Sequence, residues 1–208
     1  AWHRHIIGGK SDTTKNIIQQ QISFTSNTTI VSTSNNTITL SSHGLSTGDP
    51  VYYYAASNVI GGLNISSLYY VIASDSNTIK LATTAANATA GTAISFTSAP
   101  SSDTTQYIYQ GVNVSSNFIY SVAHGFTTGD IFYYDNTGTS IGGLAENTKY
   151  YVEKIDNNQF KLYSNKTLTT VVDITSAHTS EQTDNILTHA KVESVAVIDG
   201  DTDEDQVW

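Results

Sequence analysis

The feature that most constrains this chain is a repeat. His43-Gly44-Leu45-Ser46-Thr47-Gly48-Asp49 returns as His124-Gly125-Phe126-Thr127-Thr128-Gly129-Asp130, 81 residues later. Gly61-Gly62-Leu63 returns as Gly142-Gly143-Leu144, and Tyr69-Tyr70-Val71 as Tyr150-Tyr151-Val152, at the same offset. Lys80-Leu81 returns as Lys161-Leu162. A constant offset leaves no room for insertion or deletion in the core of the unit. Self-similarity at one period marks a duplicated structural unit.

Each copy contains short runs with strand patterning, separated by turn residues. In the first copy they are residues 36–40, 51–54, 68–73 and 78–82. In the second they are 117–122, 131–134, 149–154 and 159–163. Ser74-Asp75-Ser76-Asn77 and Asp156-Asn157-Asn158 supply hairpin chemistry between the last two runs. Ile79 and Leu81 match Phe160 and Leu162, apolar both times, so they point inward and Lys80 and Lys161 outward. Val71 and Val152 point inward as well, because Ile72 is replaced by Glu153. Residues 83–92 support one helical turn or a loop. The expected fold class is all-β: two tandem small antiparallel modules, residues 21–105 and 106–185, joined near Pro100-Ser101-Ser102-Asp103.

Composition agrees. Thr, Ser and Asn make up 71 of 208 residues, types that favour strands and turns. Thirteen Tyr and six Phe are too many aromatics for a disordered tail. The chain has no cysteine, which excludes disulfides, thiolate metal sites and thiol nucleophiles. Its apolar stretches are too short to span a membrane as a helix. The net charge of −9 opposes a phosphate-binding surface. The first residues lack the apolar core of a signal peptide. Methionine is absent, so the chain is expected to be a fragment of a longer polypeptide or a processed product.

The flanks read differently. Residues 1–7 are a strand candidate ending at Gly8-Gly9, and 191–198 are another, carrying Val192, Val195 and Val197. An acidic turn follows at 199–205, and Gln206-Val207-Trp208 starts a third strand. Without residues 10–190 these pieces form a compact hairpin, and exposed hairpin tips accept insertions. Residues 1–20 and 186–208 are therefore expected to be host strands around a two-module insertion.

Trp2-His3-Arg4-His5, the Val192-Glu193-Ser194-Val195-Ala196-Val197 strand and the ending Asp205-Gln206-Val207-Trp208 resemble the nozzle, or tail tubular, proteins of short-tailed bacteriophages. In that family such segments lie on consecutive strands of a β-propeller. The two repeats resemble phage modules labelled FCCH-like, after a β domain of ubiquitin-activating enzymes. Their pattern of His-Gly-x-x-Thr-Gly-Asp, then Gly-Gly-Leu and a Tyr-x-Val strand, is matched by both copies. The label carries no ubiquitin chemistry, since this chain has no cysteine. The resemblance implies a structural virion protein in the phage tail, a β-propeller-like host sheet and a six-fold ring of copies. It also implies contacts with tail adaptor and fibres, and passage of DNA as non-specific cargo. An acidic lumen would let phosphates slide without sticking. A tandem-repeat adhesin that binds a surface glycan is the alternative, and an enzyme ranks third.

The candidate sites each have a plainer reading. His43 with Asp49, or His124 with Asp130, could be a base and its orienter. The plainer reading has Gly44, Gly48, Gly125 and Gly129 shaping turns, Asp49 and Asp130 capping them, and the histidines packing at strand ends. That structural reading is preferred, because the motif occurs twice and no nucleophile accompanies it. The aspartates at 199–205 suggest a calcium loop, but Glu204 stands where such a loop needs glycine. His3 and His5 lack a third metal ligand. No catalytic residue, metal site or cofactor is assigned. Tyr52-Tyr53-Tyr54 and Phe132-Tyr133-Tyr134 put aromatics on both faces of a strand. One face is core. On the other, Tyr52, Tyr54, Phe132 and Tyr134 either meet a glycan or protein partner or pack at a module–module contact.

Overall fold

The computed structural model describes residues 14–178 and 182–189. Thirteen strands are found among them: β1 (Thr14–Ser26), β2 (Val31–Ser32), β3 (Thr37–Thr39), β4 (Pro50–Ala55), β5 (Leu68–Asp75), β6 (Thr78–Ala82), β7 (Thr104–Gln110), β8 (Val112–Asn113), β9 (Phe118–Tyr120), β10 (Ile131–Asn136), β11 (Thr148–Lys154), β12 (Gln159–Tyr163) and β13 (Gln182–His189). A single short helix, α1 (Ala85–Thr89), starts where Thr84 caps the Asn87 amide. The described residues are all-β apart from that turn.

Every strand pairing is antiparallel, and the order is β2-β3-β6-β5-β4-β7-β1-β13-β10-β11-β12-β9-β8. Read outward from β1, both directions give equivalent strands in the same order. The duplication therefore builds one continuous sheet with β1 at its centre.

Alternation places the apolar residues. Val71, Ile79 and Leu81 are wholly buried, as are Val152 and Phe160, with Leu162 nearly so. They anchor two separate hydrophobic clusters, one per module. Each such side chain contributes roughly 1.5–3 kcal/mol by leaving water. Backbone conformation repeats too. Asn36 and Asn117 both take positive φ, 56° and 60°, and accept from the Phe96 and Ile174 amides at 2.8 Å.

The central strand works in two halves. Residues 14–19 pair with β13, from Thr14↔Thr188 to Gln19↔Gln182, and residues 20–26 pair with β7. The register slips between Ile17 and Gln19. The slip explains why two consecutive amides, Gln19 and Gln20, are both buried. Gln19 donates to the Thr139 carbonyl and accepts from the His178 amide, both at 3.3 Å, and Gln20 donates to the His43 carbonyl at 3.2 Å. Buried amides need such partners.

The expected module boundaries at 20/21, 105/106 and 185/186 fall inside β1, β7 and β13. The strand β7 pairs with β4 of the first module along residues 106–110. Residues 1–13 and 190–208, which carry the expected host hairpin, His3, His5 and the acidic turn, lie outside the described residues.

Candidate functional site

The His-Gly loops come first, because the sequence singles them out. Gly44 and Gly125 take φ of 69° and 72°, and Gly48 and Gly129 take 98° and 93°, which L side chains adopt only at a cost. The tight loop turns the histidine into the strand end. His43 Nδ1 accepts from the Leu45 amide at 2.9 Å, and its Nε2 donates to the Asp75 carbonyl at 2.8 Å. His124 repeats this with the Phe126 amide and the Asp156 carbonyl, each at 2.9 Å. An Nδ1 that accepts and an Nε2 that donates define the neutral Nε2–H tautomer.

The carboxylates act on their own turns. Asp49 accepts from the Ser46 amide and Asp130 from the Thr127 amide, both at 2.8 Å. Thr47 and Thr128 accept from the Ala73 and Lys154 amides at 3.0 Å. Both nitrogens of each imidazole are taken by backbone, so neither is offered to the carboxylate of its motif. The geometry clamps a loop onto the β5–β6 or β11–β12 hairpin. Burial lowers the His124 pKa, with Lys154 adding in the same direction and the Asp156 carbonyl opposing. Its ring lies 4.7 Å from Phe126 and 5.3 Å, edge-on, from Phe160.

The aromatic strands differ from expectation. Phe132 and Tyr134 are fully buried and Tyr52 is 1 % exposed, so none of the three can offer a ring to a glycan. The physical reason lies in the alignment. The 81-residue offset matches Tyr52-Tyr53 with Tyr133-Tyr134, so Phe132 stands where Val51 does and faces the core. Tyr134 accepts from the Ile141 amide at 2.8 Å and donates to Asn185. Tyr53 does the same with Ile60 at 3.0 Å and Gln106 at 2.7 Å. The exposed ring of β10 is Tyr133.

Tyr52 serves the seam between modules. It joins the second module's core cluster, along with Ile17 and Tyr109, and its hydroxyl donates to Gln159 at 2.9 Å. Tyr54, half-buried, begins a ladder: its ring centre lies 6.3 Å from Tyr107, which stacks at 5.8 Å on Tyr109. Burial pushes the Tyr52 phenol up strongly, helped by Asp156, Tyr120 and Tyr70. These four groups converge where the modules meet. Of the two readings given for Tyr52 and Tyr54, the contacts seen here are those of packing where the modules meet.

Sequence reasoning missed Gln106 and Asn185, the acceptors for the two buried tyrosines. They are 79 residues apart, not 81, so a constant-offset comparison skips them. It also missed Tyr70 and Tyr120 at the seam, which are not equivalent positions. Among the described residues, no group of three His, Cys, Asp or Glu could hold a metal ion. None of their helices is long and apolar enough to cross a membrane. Among known proteins, no family model, curated sequence or solved structure matches this chain.

Proposed function

We propose that this chain is a structural part of a short-tailed phage tail nozzle, with no catalytic role, located in the virion. The two modules stand out from a host β-propeller sheet and contact tail fibres or the host surface. The observation that carries the reading is the antiparallel pairing of Thr14 with Thr188. The incoming and outgoing strands run side by side, as an insertion into a host hairpin requires. The sequence resemblance of the two flanks supports the host, and the −9 charge suits a ring that passes DNA as cargo.

The decisive experiment uses the full-length parent protein. Electron microscopy is expected to show six-fold rings that co-purify with virions. Replacing residues 15–187 by an Asn-Gly turn is expected to leave those rings intact, because such a turn closes a hairpin. A monomeric parent absent from purified virions overturns the reading. The second reading is a tandem-repeat adhesin, which the duplication itself favours, since paired modules raise avidity. An adhesin would be ring-free and found outside the virion.

A further inference from the structure

A cleft of about 360 Å³ opens at the seam between the modules. Its walls come from three sources: Asp49 and Tyr70 of the first module, Tyr120 and Val122 of the second, and Asn16 of β1. Gln110, only 7 % exposed, also lines it. The volume falls within the range of small-molecule sites, which favour domain interfaces. The Tyr70 and Tyr120 phenols lie near enough to act on each other. Burial, and then Tyr70, push the Tyr120 phenol up to about 12, so that phenol keeps its proton at neutral pH.

The lining selects a ligand class by elimination. Among the described residues no Lys, Arg or His lines the cleft, and Asp49 contributes a carboxylate, so phosphates, sulfates and acidic sugars are repelled. Among the described residues Asp49 is also the sole carboxylate there, and it already caps the Ser46 amide, which leaves too few oxygens for a metal ion. A purely apolar ligand would cut the Asn16 and Gln110 amides off from water and offer them nothing in return, which is unfavourable. An uncharged ligand that is rich in hydroxyls and apolar on one face can meet the phenols, the amides and the apolar wall together. Tyrosine rings suit such a face because they offer large contact area at low entropy cost. Ile18, 38 % exposed, and Val122, 64 % exposed, extend the apolar strip.

We propose that this seam cleft binds an uncharged saccharide of one or two rings. The proposal deepens the surface-contact half of the function above and does not depend on the ring. A ring-free protein that binds sugar would sink the nozzle and leave the cleft site standing.

The test is a glycan array bearing neutral and anionic glycans, probed with the 208-residue chain and followed by calorimetry with the best neutral oligosaccharide. Neutral glycans are expected to bind, with affinity unchanged between low and high salt because no charge pairing is involved. Ala85→Arg places a long side chain at the exposed rim, and Tyr120→Phe removes one hydroxyl while keeping the ring. Each is expected to weaken binding about tenfold or more. Tyr133→Ala, an exposed ring outside the cleft, leaves binding unchanged. Thermal melts confirm that all three variants fold, and Tyr120→Phe decides the matter if Ala85→Arg does not. Binding to anionic glycans alone, no binding at all, or equal loss in Tyr133→Ala overturns the proposal.

Discussion

The Tyr52 hydroxyl donates to Gln159 Oε1 at 2.9 Å, carrying a ring of the first module into the core of the second. Its counterpart one repeat later, Tyr133, is 45 % exposed. One position in the repeat is thus put to two uses. In the first copy it closes the seam, and in the second it stands in solvent.

Tyr52→Phe should cost about 1 kcal/mol, the worth of one hydrogen bond. Tyr52→Ala should cost about 3–5 kcal/mol, the range for deleting a large buried ring. Tyr133→Ala should stay within about 0.5 kcal/mol, as surface changes do. Urea midpoints report all three. If Tyr52→Ala proved as stable as Tyr133→Ala, the seam would hold nothing together.

Acid should loosen the second His-Gly loop. His124 is needed neutral, because Nδ1 accepts a backbone proton that a protonated ring would repel. Burial holds its pKa below the ordinary 6.5. The unfolded chain therefore binds a proton that the folded one does not, and stability rises with pH. This contribution is constant above about pH 6.5 and is lost as pH falls through 6.5 and below. The urea midpoint of the wild type should drop between pH 7.5 and 5.5. His124→Leu should be less stable at pH 7.5 yet show a smaller drop, and an unchanged drop would refute the assignment.

Gly111 should tolerate no side chain. A Cβ there would lie 1.4 Å from the Ile18 carbonyl oxygen, at a φ of +77°. Gly91 has nearly the same conformation, φ +73°, with nothing within 4 Å. Gly91→Ala should cost about 1 kcal/mol from backbone conformation alone. Gly111→Ala should cost well beyond that, because β1 and the β7–β8 corner must separate. Thermal melting of the pair isolates the contact, and equal melting temperatures would exclude it.

Asn36→Gly and Asn117→Gly keep the positive φ and remove the side-chain acceptor. Each leaves one backbone amide, Phe96 or Ile174, without its partner. Each should cost about 1–2 kcal/mol, and the two should add in the double variant. Unequal single costs, measured by chemical denaturation, would show that the two copies are not held alike.

How far the sequence could be read depended on the kind of signal. Turn residues need particular backbone angles, so His43-Gly44 and Thr47-Gly48-Asp49 marked their loops directly. Alternation marked Ile79, Leu81, Phe160 and Leu162 as core, and all four are buried. The central strand was not seen. Gln19-Gln20-Gln21 breaks the alternation, because a strand that changes partners midway buries consecutive residues. Ile22 and Phe24, with β-branched neighbours, were the available signal. The tyrosine faces are legible only at the 81-residue offset, where Tyr52 aligns with Tyr133 and Val51 with Phe132; the matching look of the two aromatic triplets hides this. The seam was out of reach, since Tyr70 and Tyr120 meet only through packing between copies.

The pairing of Thr14 with Thr188 also governs how the molecule carries load. Tension applied at those two points would peel β1 from β13 one pair at a time, the weakest direction in which to pull a sheet. If both strands continue into one host sheet, as proposed, a force carried by that sheet would bypass the module cores. In the proposed host, the paired modules would then be spared the load that the host bears.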